Sequence, residues 1–208
     1  MRQLLSAVSI VLGFAMAMPA QGKVFLTTKE ALALAFPDCK VTRVKHVLDA
    51  AKKERAGKLA GVPPRRSMVY AYEAHKDGKL VGTAWFDRHR VRSKQELVMI
   101  VVDPTSKVRR IEVVSFEEPL DYLPRGTFYA QFVGRGLDKE ISVKRSIRSV
   151  AGATLTVNAT VEAVRRTLAT HMVVYPNQEK KAQPPAQQPA ADASAPKPRR
   201  LPGKVSRK

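Results

Sequence analysis

The sequence predicts an α+β fold: an antiparallel, meandering sheet packed against helices in a single domain. Three observations carry this. Two pairs of strand-like apolar runs, 67–74 with 79–86 and 96–102 with 107–116, are each joined by a short turn. Apolar residues recur at helical spacing before the first pair and after the last. The 208 residues show no internal repeat, so strands and helices belong to one layered unit.

In chain order, 27–36 reads as a helix. Thr27 or Thr28 caps it, Ala31, Leu32, Ala35 and Phe36 form its stripe, and Pro37 ends it. A second helical pattern covers 43–60, with Val44, Val47, Leu48 and Ala51 on one side, until Gly61-Val62-Pro63-Pro64 breaks it. The first hairpin turns at Asp77-Gly78, a pair suited to the left-handed dihedrals of a tight turn, and the second at Asp103-Pro104-Thr105-Ser106. A short helix follows at 126–134, with Phe128 and Phe132 four apart, and then a strand-like run at 140–150. The last helix spans about 158–172. Val157, Val161, Val164 and Leu168 line one side, and Glu162, Arg165 and Arg166 fall outside that stripe.

The two ends differ from this core. Residues 1–22 carry Arg2, then an apolar run, then small residues. That is the order of a secretory signal peptide, cleavable after Ala17 or Gly22, or of an uncleaved membrane anchor. The expected location is periplasmic or otherwise extracytoplasmic. Residues 23–66 form a helical N-terminal part and 67–175 the sheet-and-helix core. Residues 176–208 are rich in Pro, Ala, Gln and Lys, too poor in apolar residues to bury a core, and read as a disordered basic tail. The net charge of +19 favours polyanions, anionic membranes or acidic proteins as partners, and export argues against nucleic acid. Cys39 stands alone and reads as a packing residue. His46, His75, His89 and His171 are scattered, which argues against zinc or haem. Trp85 and Phe86 read as packing. His89 with Arg90 and Arg92 reads as a solvated strand end or a site for an acidic partner.

The stretch Ala151-Gly152-Ala153-Thr154-Leu155-Thr156 has two readings. It can be an ordinary helix start, with Thr154, Thr156 or Asn158 as the cap. It can also be an anion site: Gly152 admits a bulky ligand to the backbone, the free N–H groups of the helix start attract a phosphate, and Thr156 sets a hydroxyl beside it.

This stretch, followed by an amphipathic helix, resembles the flavin-attachment motif of the FMN-binding domain family, whose members include subunits of the Rnf and sodium-pumping NADH:quinone reductase complexes. The segment 115–135, with Glu117, Glu118, Pro119 and Gln131-Phe132-Val133-Gly134, is similar to a second segment of that family. The resemblance covers roughly 95–170. Ala151 stands where the family usually has Ser, and Arg148 where an acidic residue is common.

The resemblance implies FMN as the cofactor, joined to Thr156 through a phosphodiester by a separate magnesium-dependent flavin transferase that uses FAD. Ala151, Gly152, Ala153, Thr154 and Leu155 would cradle it, and Glu118 or Glu117 would lie beside the ring. Tyr122 and Phe128 would flank it or, as aromatics at that density more often do, belong to the core. The chain would then be an electron carrier between membrane or periplasmic redox partners, with no catalytic residue or metal of its own. The alternative is a flavin-free cationic protein of the same fold that holds a polyanion or, through its tail, an anionic membrane.

Overall fold

The computed structural model describes residues 22–143 and 145–176; the signal-peptide and basic-tail readings fall at 1–21 and 177–208, outside the described residues. The elements are β1 (Lys23–Val24), α1 (Thr28–Ala35), β2 (Lys40–Val47), α2 (Ala50–Ala60), β3 (Met68–Lys76), β4 (Lys79–Arg90), β5 (Gln95–Val102), β6 (Val108–Phe116), α3 (Gly126–Ala130) and α4 (Thr154–Val174). The strands form one antiparallel sheet in the order β1-β6-β5-β4-β3-β2. The fold is α+β, as the hairpin signals require. Asp77 and Gly78 adopt positive φ of 51° and 73° at the first turn, and Ser106 does so at 61° in the second.

Period-two alternation explains why the central strands are apolar throughout. On β5, Val98, Ile100 and Val102 point to one face and pack with Phe128, Phe132, Val157, Val161, Val164 and Leu168 of the α3–α4 layer. Met99 and Val101 point to the other, against Ala31, Ala35 and Phe36. The sheet is thus covered on both faces, by α1 on one side and by α3 and α4 on the other. Helix α2 packs on α4 through Leu48, Ala56, Ala60, Ala169 and Val173. The start of α1 is closed by the reciprocal box of Thr27 and Glu30.

Three expectations are corrected. Residues 40–47 form an edge strand rather than the start of a helix, pairing from Lys40–His75 to Val47–Met68; the helix begins only after the Asp49 cap. The stretch 140–150 contains no strand among its described residues. The outer edge of β6 is already used: β1 pairs with Ser115 and Phe116, and Gly134 and Arg135 exchange backbone bonds with Val108. Ile141 and Ile147 are buried as loop anchors instead, while the Gln131 side chain brackets the backbone of Arg148. Helix α4 starts at Thr154, four residues early, and is buried on more than its apolar stripe, with Arg166 only 5% exposed. No described helix is long and apolar enough to cross a membrane.

Candidate functional site

A cavity of about 230 Å³ lies where α4 begins, lined by Val91, Arg92, Glu118, Tyr122 and Gly152 to Thr156. Three separate segments therefore meet at the stretch singled out in the sequence. Gly152 has φ +80° and turns the chain into the helix; a Cβ there would meet nothing within 4 Å, so this side is open.

None of the hydroxyl or amide side chains expected to cap the helix does so. The cap position is Ala153, with no side-chain bond, and the first intrahelical bond runs from the Val157 N–H to the Ala153 carbonyl. The amides of Thr154, Leu155 and Thr156 have no acceptor among the described residues, and these three residues line the cavity together with Arg92. An uncapped helix start beside a cation is a donor set suited to a phosphate. Arg92 sits over the Tyr122 ring, 5.8 Å from its centroid, and donates to the Tyr122 hydroxyl at 3.4 Å.

Thr156 is almost fully buried, and its hydroxyl donates to the Tyr122 carbonyl at 2.6 Å. That contact bridges residues far apart in sequence and ties the 3-10 turn at 120–122 onto the helix start. The adjoining Leu155 is half exposed.

The two glutamates part company. The Glu118 carboxylate accepts from the N–H groups of Ser93 and Lys94 at 2.6 and 2.7 Å and from the Ser93 hydroxyl at 3.0 Å. Burial opposes its ionisation, but the Lys94 and Ser93 donors prevail and hold its pKa below the usual value. Glu118 thus fixes the 91–94 loop that walls the cavity. Glu117 faces outward, paired with Arg88 at 3.4 Å, and does not line the cavity. Phe128 lies in the core rather than at the cavity.

Beneath the helix start runs a buried ladder that the sequence reading missed. Arg166 holds Asp87 with two bonds of 2.9 and 3.0 Å. Asp87 contacts His89 Nδ1 at 3.0 Å, and His89 Nε2 contacts Glu96 at 2.9 Å. The other Glu96 oxygen accepts from Tyr129 at 3.1 Å. Thr160, one turn beyond Thr156, bonds the Thr156 carbonyl at 2.9 Å and lies 3.3 Å from Glu96. His89 is therefore no solvated strand end. With a carboxyl group on each ring nitrogen its charged form is stabilised, in a row where basic and acidic side chains alternate from Arg166 through Asp87 and His89 to Glu96. Its burial opposes the charge, but the bonds to Asp87 and Glu96 outweigh it and raise its pKa. For Asp87 burial likewise opposes ionisation, and His89 and Arg166 overcome it, pulling the pKa to about 2.

The signal for this ladder was present. Asp87 and His89 share the inward face with Trp85 at period two, and Glu96 shares it with Val98 and Ile100. A polar residue on a core face needs a partner, and three of them predict one another. His171 is buried as well, its Nδ1 accepting from the Trp85 indole at 3.3 Å.

The ladder makes stability depend on pH. A carboxyl lowered from 3.8 to about 2 stabilises the fold above pH 3.8 and loses that contribution as the pH falls toward 2. The raised His89 acts in the opposite sense: its contribution is complete below pH 6.5 and fades as the pH rises through its folded value. Urea unfolding of the wild type and of Asp87→Asn at pH 5 and pH 2 checks the acid limb. The variant should lose about 2 kcal/mol less between the two pH values.

Residues 94–169 match the family model of the FMN-binding domain. The match takes in Glu118, Tyr122 and the whole stretch from Ala151 to Thr156, and FMN is the cofactor that this domain indicates. No curated protein matches the chain.

Proposed function

We propose that this chain, with an FMN-binding domain over residues 94–169, carries FMN in a phosphodiester with Thr156 and passes electrons between redox partners outside the cytoplasm. The observation that carries the reading is the uncapped start of α4, opening with Arg92 onto the cavity that Thr156 lines. Free amides, the positive end of the helix and a guanidinium meet the needs of a phosphate.

In this reading the amides of Thr154 to Thr156 and Arg92 orient the phosphate, and Gly152 leaves room for the chain that follows it. The cavity is smaller than most small-molecule sites, so it would hold only part of FMN, with Tyr122 and Leu155 among the residues that line it. Glu118 acts one step back, by holding the 91–94 wall. When bound, the flavin supplies one- and two-electron chemistry. The Thr156 hydroxyl is a weak nucleophile already donating to Tyr122, so esterification exchanges that bond for the phosphodiester and calls for an external catalyst. That catalyst is the magnesium-dependent flavin transferase, with FAD as donor: the Thr156 oxygen bonds to the FMN phosphorus, the diphosphate bond breaks, and AMP leaves as the hydroxyl proton is released. A signal peptide at 1–22 brings the domain to it, and the basic tail offers contact with an anionic membrane.

The burial of Thr156 favours a second reading, a flavin-free cationic binding protein of the same fold. Intact mass after co-expression with a flavin transferase decides between them. A gain of one FMN less one water in the wild type, absent in Thr156→Ala, supports the covalent carrier. A bare-chain mass and a colourless protein in both would leave the flavin-free reading standing.

A further inference from the structure

A second opening lies on the other side of the ladder. The β3–β4 pairing holds from Lys76–Lys79 to Ala71–Trp85 and then stops. Met68 to Tyr70 stay with β2, while Phe86 to Arg90 stay with β5. Where the strands part, they leave a slot of about 290 Å³ floored by Asp87 and Arg166. Its walls include the rings of Tyr70, Tyr72, Trp85 and Phe86.

Charge is concentrated at its mouth. Arg65 and Arg66, on the loop after α2, line the slot as exposed residues, and neither has a hydrogen bond or ion pair among the described residues. Arg88 lines it too, engaged with Glu117. The only acid in the lining, Asp87, is neutralised by Arg166. The slot therefore presents aromatic faces inside and uncompensated positive charge outside. An apolar ligand would leave the guanidiniums unused, and a bare inorganic anion would leave the rings unused.

We infer that this slot is a second ligand site, distinct from the cavity at α4, for a planar aromatic anion whose ring enters between β3 and β4 and whose acidic group meets Arg65 and Arg66. The site does not depend on the flavin.

Trp85 is the only tryptophan of the chain and lines the slot, so it reports occupancy directly. The probe is 8-anilinonaphthalene-1-sulfonate, titrated onto the full chain while Trp85 emission and energy transfer to the probe are followed. One saturable site that quenches Trp85 is expected. Arg65→Ser/Arg66→Ser should weaken it about tenfold with an unchanged melting temperature, because neither side chain holds the fold. Uncharged N-phenyl-1-naphthylamine should bind both proteins alike and weakly. Equal affinity of the sulfonate for wild type and the double variant, or an unmoved Trp85 signal, would each overturn the inference.

Discussion

Arg166→Met should lower the unfolding free energy by about 3–5 kcal/mol, the cost of breaking a buried pair from one side. Arg166 is 5% exposed and makes two bonds to Asp87. Without it, two acidic side chains, Asp87 and Glu96, flank the one remaining basic side chain, His89, where only Asp87, 13% exposed, has access to water. The methylenes of Met restore much of the packing, so the loss measures charge rather than volume. Adding Asp87→Leu to the same chain should return a large part of the stability, since His89 and Glu96 then remain as a neutral pair. Urea unfolding of the wild type, the single and the double variant checks this. If the single variant costs less than about 1 kcal/mol, the ladder is not a coupled unit.

This ladder also shows what the sequence can and cannot disclose. Local rules were sufficient where a residue's neighbours in sequence are its neighbours in space. The Asp77-Gly78 turn, the Thr27–Glu30 box and the stripe of Val157, Val161, Val164 and Leu168 are all of this kind. The same rules misread Lys40–Val47, because Val44, Val47, Leu48 and Ala51 imitate a helical stripe. The density of β-branched residues there, Val41, Thr42, Val44 and Val47, pointed to a strand. They misread 140–150 because a strand needs a free edge, and whether β6 has one depends on β1 and Gly134 rather than on the run itself.

The site divides the same way. The residues from Gly152 to Thr156 were legible as a helix start, since that signal comes from one segment. That Arg92 closes the rim, and that Thr156 is tied to Tyr122, depends on the meander bringing the end of β4 beside the start of α4. The adjacent glutamates were indistinguishable in sequence. Only the register of β6 turns one inward and the other out.

That difference gives the sharpest test of the cavity. Glu118→Leu should destabilise the domain by about 2–3 kcal/mol, whereas Glu117→Leu should change it by no more than about 1 kcal/mol. Removing Glu118 leaves the amides of Ser93 and Lys94 and the Ser93 hydroxyl without their shared acceptor. Three charge-assisted bonds would sum to more, but this loop is partly open to water, which replaces some of them. Glu117 loses a half-exposed pair with Arg88 and one long bond of 3.3 Å from the Gln95 N–H, which together contribute little. The consequence for the cofactor follows from position. Freed from Glu118, the 91–94 loop no longer holds Arg92 at the rim, so the share of chains carrying FMN after co-expression with the transferase should fall in Glu118→Leu and stay near wild type in Glu117→Leu. Denaturant midpoints and intact masses of the two variants, taken side by side, separate the roles. If both glutamates behave alike in both measurements, Glu118 is not the residue that positions the wall of the site.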